Sequence, residues 1–212
     1  LPPIQRYIYL YIPLITMGLM SREYQSGSIK LLYSSPVKNT SIIFGKFLSM
    51  MVYGFALIAV LGVFVLFSAI TIVNFDYSLV LSGMLGLYLL ILAYSAIGLF
   101  MSSITKYQVV AAIGTLAVLA VLNFIGDVGQ EYDLVRNITY WLSITGRAYP
   151  FIDGLIASDN VFYFLIVIGF FLALSILKLN TEKSIMPLKT KVLKYSGIVL
   201  VTLVLGYVSS TP

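Results

Sequence analysis

Long apolar runs alternate with short polar breaks along the whole chain. A helical membrane span needs about 20 mostly apolar residues. The pattern predicts spans over 4–20, 41–73, 79–101, 109–126 and 161–177, with a shorter sixth within 195–210. The second run is long for one crossing, so its first turns, with Lys46, are expected to stand in the interface. The breaks are NFDYS (74–78), SSITKYQ (102–108), a longer connection over 127–160, and KLNTEKSIMPLKTKVLK (178–194). Between the first two spans lies SREYQSGSIKLLYSSP, residues 21–36. Arg22, Glu23, Gln25 and Lys30 keep this stretch out of lipid. Its apolar positions nonetheless recur at helical spacing, with Tyr24, Ser28 and Leu31 on one side and Ile29, Leu32 and Tyr33 close by. It reads as one helix of about two to three turns lying across the ends of two spans. Pro36 is expected to stop it after Ser34 and Ser35, and Asn39 or Thr40 to cap the next span.

Composition supports this reading. Of 212 residues, 60% are hydrophobic and 10% charged, against about 25% charged in a soluble domain. The net charge of +5 is therefore a matter of membrane orientation and not of nucleic-acid binding. Arg22, Lys30, Lys38, Lys46, Lys106, Lys178, Lys183, Lys189, Lys191 and Lys194 all fall on one side of the alternating spans, with only Glu23 and Glu182 among the acids. Asp76, Asp127, Glu131, Asp133, Asp153 and Asp159 fall on the other. The basic side is expected to be cytoplasmic, which puts residues 21–40 in the cytoplasm and 127–160 outside. The chain opens at Leu1 inside an apolar run and stops at Pro212 just past another, as expected of a piece of a longer protein.

Several chemistries are excluded. The sequence has no His and no Cys, so it offers no thiol nucleophile, no Cys/His zinc site and no histidine base. The acids lie in loops and at interfaces, which argues against an intramembrane enzyme. No ionisable group sits at span midpoints, as an ion-coupled carrier would need. No G-x-x-x-x-G-K-[ST] loop is present to cradle a nucleotide phosphate. The 34 residues of 127–160 are too few to bury a core and fit two short helices dipping back into the outer surface. Small residues at Ala93, Ala96, Gly98 and Ser102, and at Ala111, Gly114, Ala117 and Ala120, point to close helix packing within one subunit. Asn123 either has a functional role or reaches the outer interface. Tyr7, Tyr9, Tyr11, Tyr140, Trp141 and Tyr149 are placed as an interfacial aromatic belt.

The stretch MGLMSREYQSGSIKLLYSSPVKNTSIIFGKFLS resembles the permease subunits of ABC-2 type transporters. The positions that carry the likeness are Met17, Arg22, Glu23, Gly27, Lys30, Leu31, Leu32, Ser35, Pro36, Val37, Gly45 and Lys46. A second stretch, YWLSITGRAYPFIDGLIASDNVFYFLIVIGFFLAL, is similar to the last external segment of that family through Ser143, Phe151, Gly154, Ile156, Asp159, Tyr163 and Phe164. Ile144 stands where the family often has Pro, and Tyr149 near its usual His-Phe. The resemblance covers residues 1–180 and implies an all-α polytopic membrane protein, an ABC-2 exporter-type transmembrane domain whose first span lies upstream of Leu1. Residues 181–194 follow as a basic cytoplasmic loop. Residues 195–212 follow as an additional span, laid out as in gliding-motility-associated ABC permeases, where an extracytoplasmic part can be joined.

The resemblance further implies a bacterial inner-membrane exporter subunit, itself no enzyme and binding no cofactor. ATP and Mg would be held by a dimer of cytoplasmic ABC ATPase subunits, and a second permease copy, the same or different, would pair with the chain in the bilayer. Arg22, Glu23, Gly27, Ile29, Lys30, Leu31, Leu32 and Pro36 would then form the ATPase-coupling helix, with Leu31 and Leu32 on either its docking or its membrane face. Arg136, Trp141, Arg147, Asp153 and Gly154 would belong to the external re-entrant region. A structural or anchoring component of a gliding or cell-envelope apparatus, without cargo, is the alternative.

Overall fold

The computed structural model describes residues 2–71, 75–125, 139, 142–183 and 188–210, and all regular structure among them is helical. In chain order the helices are α1 (Pro2–Thr16), α2 (Gly18–Ser26), α3 (Ile29–Ser34), α4 (Asn39–Thr71), α5 (Tyr77–Ile104), α6 (Gln108–Phe124), α7 (Ile144–Ile152), α8 (Ser158–Lys183) and α9 (Leu188–Ser210). Three of them, α4, α5 and α8, are long and apolar enough to cross a membrane. At 17 residues, α6 spans about 26 Å of a hydrocarbon core about 30 Å thick. The chain is an all-α polytopic membrane protein.

The centre of the bundle is α5. Leu87 and every residue from Leu89 to Leu99 are buried, and α1, α2, α4, α6, α7 and α8 all pack on it. Helices pack this closely in lipid where small residues let backbones approach. Two glycines of α5 supply that room. A β-carbon on Gly86 would lie 2.5 Å from the Phe151 β-carbon of α7. Gly98, nearer the end of α5, receives Thr16 of α1. The expected small-residue packing of Ala93, Ala96, Gly98 and Ser102 is realised inside the subunit, all four being buried. On α6 the stripe is only partly inward, since Ala111 is buried while Ala117 is exposed.

The other long helices are less enclosed. Buried positions on α4 are Asn39, Ile43, Phe47, Met50 and Gly54, a helical seam that stops halfway along. Beyond it Phe55, Val60, Val63, Phe64, Phe67 and Ile70 all face outward. α9 packs along α8, leaving an apolar groove of about 670 Å³ with Lys194 at one end and Thr202 toward the other.

Four expectations are corrected. The first span is not one helix over 4–20: α1 ends at Thr16 and α2 starts at Gly18. The stretch 21–36 is not one helix either, because it breaks at Gly27 into the end of α2 and the short α3. Asn39 does not cap α4. It is the first helical residue, its side-chain oxygen has no hydrogen-bond partner, and its amide donates to Asn180 Oδ1 at 2.8 Å. Finally, the segment read as a loop over 181–194 is helical through Lys183 and again from Leu188.

Candidate functional site

At the basic end of the bundle the chain turns two corners between α1 and α4. The first is the α1–α2 break. A continuous helix would pair the amides of Met20 and Ser21 with carbonyls one turn earlier, and buried amides must find partners. Here Ser102 of α5 supplies partners across the break. Its buried Oγ accepts from the Met20 amide at 2.9 Å and the Ser21 amide at 3.0 Å, and donates to the Met17 carbonyl at 2.8 Å. Ser21 Oγ also donates to that carbonyl.

The second corner is Gly27, in the left-handed region at φ 76° with its amide turned back to the Tyr24 carbonyl. A β-carbon there would meet nothing within 4 Å, so the backbone conformation and not crowding requires glycine. α3 then runs six residues and ends as Ser35 turns extended ahead of Pro36, the conformation a residue before proline prefers. Ile29 is buried, Leu32 half-buried against the core, and Lys30 and Leu31 exposed, Leu31 to 73%. The two leucines therefore split: Leu32 faces the bundle and Leu31 faces away.

Both acids of the basic end hold this corner. Glu23 of α2 accepts from Lys46 Nζ of α4 at 2.5 Å, both side chains about one quarter exposed. With Arg22, Gly18 and Leu14 they line a cleft of about 310 Å³. Glu182, near the end of α8, makes the larger assembly. Its Oε2 accepts from Tyr24 Oη of α2 at 2.5 Å and from Tyr33 Oη of α3 at 2.9 Å. Its Oε1 pairs with Lys178 at 2.8 Å, one turn back. Burial pushes the Glu182 carboxyl up, but hydrogen bonds from Lys178, Tyr24 and Tyr33 and the Lys178 charge outweigh it and hold it below the usual glutamate value. Burial, then the bonds to Glu182 and Tyr33, push the Tyr24 hydroxyl well up. Burial and Glu182 raise Tyr33 to about 12 against a lowering contribution from Tyr24. All three stay in the form shown at neutral pH. With Asn39 donating to Asn180, α8 is joined to α2, α3 and α4 within its last turn.

At the opposite end, Ser143 caps α7 by accepting from the Gly146 amide at 3.1 Å. Ile144, Ala148 and Phe151 are buried against the bundle, and Ser82 of α5 donates to the Phe151 carbonyl at 3.0 Å. Arg147 donates to Asn160 Oδ1 of α8 at 3.3 Å and lies 5.7 Å from the centre of the Tyr163 ring. Asp153 is exposed at the helix end, and Gly154 takes φ 87° to close it. Asn123 joins helices: its Oδ1 accepts from Tyr94 of α5 at 2.9 Å and from Thr145 of α7. Arg136 and Trp141 lie outside the described residues.

Of the sequence-predicted coupling residues, the structure brings Arg22 and Glu23 to the cleft beside Lys46. It sets Gly27, Lys30, Leu31 and Pro36 on the outer side of the corner and turns Ile29 and Leu32 inward. Glu182, Tyr24, Tyr33 and Ser102 were not among them. Glu182 sits one helical turn from Lys178, a readable pair, but its tyrosines are 158 and 149 residues away in sequence.

The profile of the ABC-2 family transporter proteins matches residues 7–209. Searches of curated proteins and of solved structures returned no match.

Proposed function

Because the chain belongs to the ABC-2 family of transporter proteins, a family whose membrane domains serve as permease components of ABC transporters and are typically non-catalytic, we propose that it is the permease subunit of an ATP-driven exporter. In this reading its basic end faces the cytoplasm of a bacterium across the inner membrane. A dimer of ABC ATPase subunits holds ATP and Mg, and a second permease copy completes the assembly. The chain itself binds no cofactor.

The observation that carries this reading is the α2–α3 corner. It is a short, rigid element with Lys30 and Leu31 exposed at its outer surface and three polar ties behind it: Ser102, Lys46 and Glu182. A surface built this way can take a push from a soluble partner without folding away. The apolar outer half of α4 offers the second copy a face.

The test is mild-detergent purification from native membranes. A cytoplasmic P-loop ATPase is expected in near-stoichiometric amount, lost on Leu31→Asp while the permease remains folded. Absence of any ATPase under several conditions would put the anchoring role in a gliding or envelope apparatus ahead.

A further inference from the structure

The two ends of the bundle are both tied to α8. At the basic end Glu182 receives Tyr24 and Tyr33, and Asn180 receives Asn39. At the other end Asn160 receives Arg147, Tyr163 donates to the Leu142 carbonyl at 2.9 Å, and the Phe164 ring packs 6.2 Å from that of Phe151. Along α8 the rise from Asn160 to Glu182 is about 33 Å. Between them α8 packs through apolar side chains, such as Phe171 against Phe100 of α5. Apolar surfaces slide past one another more readily than paired polar ones, which is how packed helices shear.

α5 also reaches both ends, but it is enclosed by six helices and interlocked by Gly86 and Gly98. α8 is less buried than α5, and one of its faces opens on the α9 groove. α5 is thus the enclosed frame, and α8, which packs along it and keeps one face open, is the element that reaches both polar ends from the side.

We propose that Glu182 is a positioning residue that fastens the α2–α3 corner to α8, so that displacement of the corner is delivered along α8 to α7 at the opposite end. The inference rests on the permease reading, in which a partner ATPase displaces the corner. Glu182 touches neither nucleotide nor cargo. It acts through Tyr24 and Tyr33, and Lys178 holds its other oxygen.

The absence of cysteine makes the test direct. Ile156→Cys, on the exposed segment joining α7 to α8, is labelled with a hydrophilic maleimide in nanodiscs, which leave both membrane faces open, carrying the permease with its ATPase. Labelling is followed without nucleotide and with MgATP trapped by vanadate. The parent is expected to label at different rates in the two states. Glu182→Gln, and independently Tyr24→Phe with Tyr33→Phe, are expected to lose that difference while retaining the ATPase. Lys178→Gln, which leaves both tyrosine bonds, is expected to keep it. A purely structural role for Glu182 would lower yield and leave the nucleotide response in place. A full response in both clamp variants overturns the proposal, as does a parent that labels alike in both states with the ATPase present. Absence of the ATPase from the parent preparation instead overturns the permease reading and, with it, this joint.

Discussion

A β-carbon on Gly98 would fall 2.0 Å from the Thr16 hydroxyl oxygen and 2.6 Å from the Thr16 β-carbon. No rotation of the threonine removes the second contact, because it is set by backbone separation. Gly98→Ala must therefore part α1 from α5 or distort both, at a cost of about 1–3 kcal/mol. Thermal unfolding of the detergent-solubilised chain should show the loss. Thr16→Ala on top of it removes the hydroxyl and methyl but keeps the β-carbon, so rescue should be partial. Full rescue by Thr16→Ala would mean that the side chain, and not the helix separation, is the obstacle.

Ser102 and Ser103 are adjacent and both buried, yet they do different things. Ser103 Oγ bonds the Phe100 carbonyl of its own helix at 2.7 Å, whereas Ser102 completes the α1–α2 break. Ser102→Ala strands two buried amides and should destabilise by about 1–3 kcal/mol, while Ser103→Ala should cost little. Hydrogen exchange at Met20 and Ser21 should rise in the first variant only. Equal exchange in the two would remove Ser102 from this role.

Glu23 and Lys46 form a pair about one quarter exposed, and screening by solvent keeps such pairs weak, about 0.2–1 kcal/mol in a double-mutant cycle. Its orientation is the stronger test. Lys46→Glu sets two carboxylates against each other and should lower stability more than Lys46→Gln. Adding Glu23→Lys should restore most of the loss. No recovery in the exchanged pair would show that the two side chains are not coupled.

The Glu182 cluster makes opposite contributions at the two ends of the pH scale. Its carboxyl is held below the usual value in the folded chain. That contribution is present above the usual glutamate value, about 4.3, and is lost as pH falls through the lowered one. Tyr33 is raised to about 12. Its contribution is present below the usual tyrosine value, about 10, and is lost as pH rises through the folded one. The difference in thermal stability between the native chain and Glu182→Gln should therefore be flat from about pH 5 to about pH 9 and shrink on further acidification. A difference that changes within that window would show that the cluster titrates elsewhere.

The spans were legible in the sequence because hydropathy and length are local properties. The runs at 41–73, 79–101 and 109–126 lie within about three residues of α4, α5 and α6, the usual uncertainty of helix ends. The family likeness was legible because its motif is dense between Met17 and Lys46. Two things escaped. The break at Gly27 was hidden by apolar positions that continue in helical rhythm across it. The Ser-Gly-Ser run was a stop signal that could have been read. The clamp on Glu182 was beyond periodicity, since nothing local relates α8 to tyrosines on α2 and α3. For Leu31 and Leu32, helical spacing left two faces open, and only the packing of α3 on the bundle separated them.

The buried seam of α4 ends at Gly54, and every large apolar side chain from Phe55 to Ile70 that is strongly exposed looks away from the rest of the chain. The two halves of this helix therefore answer to different constraints. In the first half an exchange of shape at Ile43, Phe47 or Met50 disturbs neighbours within the same polypeptide, so those positions have little freedom to drift. In the second half Leu57, Ile58 and Leu61 still touch the core, but at the outward positions one oily side chain replaces another at little cost to the fold. Variation confined to that half would be shaped by whatever borders the subunit, be it acyl chains or another polypeptide, and a run of fixed residues there would trace the footprint of a neighbour.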